Sequence, residues 1–174
     1  MNDETSLSVS HSLVVERVTK ATLSQFSGVL RAAARALEQR GQLLWSQGEL
    51  EPEKLSNAYS DCDIYLGIQE KEAVAGMILL EDDPVFWPHV RPGDSLFIHK
   101  LTVAPSFQGA GVATQMLQFA YTEAYRQRKR YLRLDTAAER PKLRAFYEKH
   151  GFSCIGERTV GRFGVALYEQ EVNG

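Results

Sequence analysis

The stretch Leu101-Thr-Val-Ala-Pro-Ser-Phe-Gln-Gly-Ala-Gly-Val-Ala-Thr114 constrains this chain more than any other segment. Apolar residues run up to Ala104-Pro105, where a strand must stop because proline cannot donate to a ladder. A short turn follows, and a helix begins in residues with almost no side chain. Val112, Met116, Leu117, Ala120 and Ala124 then share one helical face through about Gln127. Small residues let a ligand approach the backbone closely, and the first N–H groups of a helix have no partner within it. The partial positive charge at that end favours an anion, so the loop suits a phosphate. A Gly-x-Gly alone would signify no more than a tight turn.

Several phosphate ligands fit such a loop in principle. A mononucleotide P-loop requires Gly-x-x-x-x-Gly-Lys-Ser/Thr, and no lysine follows Gly111. A dinucleotide fingerprint would need a small third residue at Thr114 and an acid about 20 positions on. Asp135 stands loosely at that distance, so this alternative stays open.

The remainder reads as a mixed α+β chain. Leu13 to Val18 alternates as a first strand, and Thr22 is a candidate N-cap for a helix running to about Arg40, with Gly41 as its C-terminal cap. A short helix is expected near Pro52 to Tyr59. Cys62 to Gln69 and Ala73 to Glu81 form a hairpin across Glu70-Lys71-Glu72, and the proline-rich Asp83 to Asp94 is a loop. Strands follow at Ser95 to Val103 and Tyr131 to Asp135. Pro141 to His150 is a helix with Leu143, Phe146, Tyr147 and His150 on one face, and Gly151 caps it. Strands at Phe152 to Thr159 and Phe163 to Val172 close the chain.

With 174 residues, 20 Lys plus Arg and 22 Asp plus Glu, one domain over 1–174 is expected, its first twelve residues loose. The net charge of -2 argues against a general nucleic-acid coat, which needs a basic excess. No apolar run approaches the ~20 residues that span a bilayer, and the acidic start lacks a signal peptide's regions. Cys62 and Cys154 have no partner at metal-ligand spacing, so the expectation is reduced thiols in a cytoplasmic protein without a metal.

Gln108-x-x-Gly111-x-Ala113 after the Leu101-x-Val103 strand end resembles the acyl-CoA signature of the GNAT N-acetyltransferase superfamily. A second element follows in order, Phe146-Tyr147-Glu148-Lys149-His150-Gly151-Phe152, similar to the end of that family's later helix. The likeness is firm from about Ile98 to Phe152. It implies a GNAT fold: a twisted, mostly antiparallel mixed sheet of about seven strands flanked by helices, splayed around Ile98 and Leu132 to admit the thioester. It also implies an acyltransferase that moves an acetyl group from acetyl-CoA to a primary amine by direct attack.

The resemblance assigns roles residue by residue. The backbone of Gln108, Gly109, Ala110, Gly111, Val112, Ala113 and Thr114 would bind the CoA pyrophosphate, and that of Leu101, Thr102 and Val103 the pantetheine arm. Tyr147 matches the general acid that protonates the departing thiolate. The base is one of two residues. Asp135 lies twelve positions before Tyr147, where some relatives carry a carboxylate, and His99 stands where others carry an acid. Glu81 and Asp82 are outside candidates. One departure is Arg140, seven positions before Tyr147, where many members place an asparagine that contacts the cofactor. Arg140 would reach a CoA phosphate instead. The basic run from Arg126 to Arg133 reads as ordinary complement to a helix C-terminus.

The acceptor side would draw on Trp45, Phe86 and Trp87, with Leu43, Leu44, Tyr59 and His89 nearby in the family's topology. Aromatic rings suit a partly apolar acceptor or a cationic amine, and the acidic stretches Glu49–Glu53 and Glu81–Asp83 would attract one. A small-molecule amine, a peptide N-terminus and a protein lysine all stay open, as does a homodimer. A catalytically silent acyl-CoA-binding sensor module is the competing function, with the dinucleotide enzyme behind it.

Overall fold

The computed structural model describes residues 12–173. The expected loose start therefore lies outside the described residues, Ser12 excepted. The chain runs β1 (Val14–Arg17), α1 (Leu23–Glu38), α2 (Pro52–Ala58), β2 (Asp63–Gln69), β3 (Glu72–Leu80), β4 (Ser95–Val103), α3 (Val112–Arg126), β5 (Tyr131–Ala137), α4 (Pro141–Lys149), β6 (Ser153–Val160) and β7 (Phe163–Glu171). Short 3-10 turns precede α2 at Gly48–Leu50 and α3 at Pro105–Phe107. The seven strands form one sheet in the order β1-β2-β3-β4-β5-β7-β6. Every neighbouring pair is antiparallel except β4–β5, which α3 joins as a parallel crossover.

Local chemistry explains most of the boundaries. The β2–β3 hairpin turns on Glu70 and Lys71, both at positive φ (51° and 70°), as the favoured two-residue hairpin turns require. Helix α1 ends as the glycine predicts: Gly41, at φ 72°, donates to the Glu38 carbonyl and Gln42 to that of Leu37. Gly151 closes α4 in the same way, with its N–H on Glu148 and that of Phe152 on Tyr147. Arg128 makes this closure for α3 at φ 55° without being a glycine. Thr22 departs from expectation. It stands at the start of α1, but its hydroxyl accepts from the Thr19 N–H at 2.9 Å instead of capping the helix.

Period-two alternation sorts the strand side chains onto two cores. Met77, Leu79, Leu96, Ile98, Leu132, Leu134, Ala166 and Tyr168 face α3 and the Tyr147 side of α4. Ile64, Leu66 and Ile78 face α1 and α2, packed on Phe26, Leu30, Leu50 and Leu55. Gly76 lies where α1 crosses β3. A Cβ added there would stand 2.7 Å from the ring of Phe26, which is fully buried. Gly76→Ala should therefore destabilise by about 1–3 kcal/mol through overpacking, read as a lower urea midpoint at unchanged slope.

Candidate active site

Strands β4 and β5 pair from Ser95↔Tyr131 to Ile98↔Leu134 and then part. The opening thus begins after Leu134, beyond Leu132, which is itself paired with Leu96. From His99 to Val103, β4 keeps only β3 as a neighbour among the described residues, so its β5-facing edge has no strand partner among them. A β-bulge lies in the same segment. Gly76 pairs with Thr102 and Ile78 with His99, so Met77 stands opposite both Lys100 and Leu101. Ile98, Leu101 and Val103 all pack on the α3 core, which leaves His99 and Lys100 together on the α1 side.

The glycine loop borders this opening on the α3 side. Gly109 and Gly111 adopt φ 82° and 80°, and a Cβ at either would meet nothing within 4 Å. Among the described residues, the backbone N–H groups from Gly109 to Thr114 donate to no protein acceptor. Gln108 is spoken for: its N–H reaches Pro105, and its side-chain amide donates to the Val103 carbonyl at 3.1 Å, closing the turn. The Thr114 hydroxyl bonds His150 Nε2 at 2.9 Å. His150 Nδ1 gives its proton to the Phe146 carbonyl, so Nε2 is the acceptor of that bond. Thus α4 is tied to the first turn of α3. A run of unpaired N–H groups at a helix start, led by the exposed Gly109, Ala110 and Gly111, fits the pyrophosphate of an acyl-CoA.

Three ionisable residues meet on the α1 side. His99 Nε2 donates to Asp83 Oδ2 at 2.7 Å and lies 3.9 Å from Asp135 Oδ1. Asp83 is 4% exposed and also accepts from the Phe86 N–H at 3.2 Å. Burial pushes the Asp135 carboxyl up to about 6, with positive charge on His99 opposing the rise and Asp83 adding to it. The donor atoms of the three residues lie within 4.8 Å of one another, so they could also hold a divalent cation. Sequence reasoning named His99 and Asp135 but took Asp83 only as part of an acidic run. Its signal was weak, since nothing in a proline-rich loop says which of three acids folds inward.

Tyr147 enters from α4, buried among Phe146, Phe152 and Tyr168. Its hydroxyl is raised well above the ordinary phenol range by burial, then by the charge of Asp135, with Arg140 acting against both. Around the acceptor side, Phe86 lies edge-on to His99 at 5.9 Å, and Trp45 carries the Lys100 ammonium 4.4 Å from its ring. Trp87 is placed differently. It is buried against Phe97 and Arg133, and its indole N–H has no acceptor among the described residues. Glu81 and Asp82 are exposed, Glu81 pairing with Lys129, and neither joins the cluster. Leu43 and His89 are exposed, whereas Tyr59 is half-buried and feels the charges of Asp83 and Asp135. Arg133 is buried on Glu169 and Ser95, and Arg126 pairs with Glu123, as expected of structural cations. Cys62 and Cys154 are free, and no helix among the described residues is long and apolar enough to cross a membrane.

The raised carboxyl makes a stability prediction. Asp135 holds its proton more tightly folded than unfolded, so its contribution is complete below pH 4 and is lost as pH rises through about 6. Asp135→Asn should match the parent at pH 4 and exceed it by roughly 1–3 kcal/mol at pH 7.5 in urea unfolding. Equal differences at both pH values would refute the shift.

Comparison with known proteins agrees with this architecture. The acetyltransferase (GNAT) family matches residues 30–152. The N-acetyltransferase YesJ of Bacillus subtilis, itself uncharacterised, is 27% identical over 154 residues, covering 84% of this chain and 83% of its own. Two solved structures share the fold. A GNAT-family protein of Desulfovibrio desulfuricans has a TM-score of 0.74 at 15% identity, covering 93% of this chain and 100% of that one. A GNAT acetyltransferase of Listeria monocytogenes has 0.73 at 18%, covering 91% and 94%. The dinucleotide alternative falls with this match and with a sheet in which β4–β5 is the sole parallel pair among the described strands. The chain belongs to the acetyltransferase (GNAT) family and is an acyltransferase.

Proposed function

We propose that this protein transfers an acetyl group from acetyl-CoA to a primary amine by direct attack of the amine. The observation that carries the reading is the convergence at one opening of three things. Unpaired loop N–H groups lie on the α3 side, the Asp83–His99–Asp135 cluster lies on the α1 side, and the charge of Asp135 acts on the buried Tyr147 hydroxyl. Acetyl-CoA supplies an activated acyl carbon and releases a thiolate, whose free thiol has a pKa near ~8.5. The N–H groups of Gly109 to Thr114 hold the pyrophosphate. The unpaired edge of Leu101 to Val103 offers backbone groups to the pantetheine arm, and Arg140 complements negative charge near the start of α4.

Asp135 removes the proton of the attacking nitrogen. A buried carboxyl at about 6 is ionised at neutral pH, yet is a stronger base than an exposed one. The hydrogen bond from His99 Nε2 to Asp83 keeps the ring in place beside Asp135. Tyr147 retains its proton at neutral pH and delivers it to the departing sulfur. Phe86 and Trp45 wall the acceptor side.

Release of free CoA thiol on a panel of primary amines tests the assignment. The pH profile of kcat/KM should show an acidic limb with apparent pKa about 6, and Asp135→Asn should lose that limb. Tyr147→Phe should lower kcat by ~100- to 10,000-fold while acetyl-CoA still raises its melting temperature. Parent-like turnover in both variants would overturn the roles. Cofactor binding without turnover on any amine would favour the silent sensor.

A further inference from the structure

We infer that Lys100 recognises an anionic group on the acceptor, so that the acceptor is a small amine that also carries a carboxylate. The inference rests on the acetyl-transfer reading for the orientation of the amine, and on separate residues for the anion. Lys100 sits inside a strand whose neighbours are mostly apolar, and the bulge turns it onto the same face as His99, at a positive φ of 50°. A lysine in that backbone conformation is uncommon, and it places the ammonium on the acceptor side.

The ammonium makes no ion pair among the described residues. Lys100 is half-buried and forms no ion pair or hydrogen bond among the described residues; its one contact of note is the Trp45 ring. Glu49 is the carboxylate whose charge acts on it, and Glu49 is held by the Ser46 N–H at 3.1 Å and the Ser46 hydroxyl at 2.8 Å. A ring face offsets only part of the cost of removing an ammonium from water. Tyr59 feels the charge of Glu49 as well as those of Asp83 and Asp135, and with its pKa at about 12 it remains a neutral donor.

The α1 side thus carries carboxylates at Asp83 and Asp135 and, at Lys100, a cation with no ion pair among the described residues. A substrate with an amine at one end and a carboxylate at the other satisfies both. A polyamine or a lysine-rich peptide would set like charge against Lys100.

Matched pairs decide this: free amino acids with apolar or aromatic side chains, and ω-amino carboxylates, each against its own carboxamide. Binding is read by thermal shift with and without CoA, and transfer by CoA release from acetyl-CoA. At least one carboxylate should bind about tenfold or more tightly than its carboxamide, the scale of a hydrogen-bonded charge. Lys100→Met should abolish that preference without weakening the carboxamides, and Lys100→Arg should restore part of it. The inference is overturned if no carboxylate outbinds its carboxamide, or if Lys100→Met weakens both alike. Should Lys100→Met not fold, the parent's own preference still decides. Lys100-dependent binding without acetylation would uphold the anion site and reject the transfer reading; acetylation indifferent to the carboxylate would do the reverse.

Discussion

The parting of β4 and β5 after Ile98↔Leu134 is the constraint on which the rest of the site depends. A continuous sheet would separate the α3 side from the α1 side completely, since every backbone group between them would be engaged in a ladder. Ending one parallel pairing early leaves an unpaired strand edge and a passage between the two faces. The remaining strands hold the gap open. Antiparallel pairing fixes β4 to β3 and β5 to β7 on either side, and apolar side chains of all four strands pack on the α3 core.

Around that passage the two faces have different chemistry. At the glycine loop the α3 side offers backbone: small residues, positive φ at two glycines and N–H groups without acceptors among the described residues. The α1 side offers side chains, and the bulge in β4 concentrates them by turning His99 and Lys100 the same way. A regular strand would have put one of the two into the α3 core, where a charge costs far more than on a wet cleft wall. Donor and acceptor sites can thus be built by different rules and meet only at the opening. In the proposed reading, Asp135 and Tyr147 act at that meeting point from opposite faces.

Much of this was legible in the sequence, for reasons that differ by residue. The turn-and-helix start at Gly109 and Gly111 could be read because glycine, helix onset and missing side chains are local properties. The C-terminal caps at Gly41 and Gly151 were legible for the same reason, whereas Arg128 made an identical cap that no residue preference announced. Tyr147 and Asp135 came from the family resemblance. Asp83 could not be read, because its pairing with His99 spans the loop between β3 and β4. Lys100 was missed because a bulge leaves no mark in an alternation pattern until the pairing partner is known. Trp87 was misjudged for a related reason: an aromatic in a long loop can line a cleft or plug the sheet, and the indole of Trp87 packs on Phe97 and Arg133.

Thermal unfolding of the purified protein with acetyl-CoA, CoA, NADH or buffer tests most directly whether the opening and its glycine loop hold an acyl-CoA. Ligand at ~100 times its Kd adds about 2.7 kcal/mol to the native state, several degrees in melting temperature for a chain of this size. The account predicts a clear rise with both CoA species and none with NADH. No rise with either CoA species, or a rise with NADH alone, would contradict it.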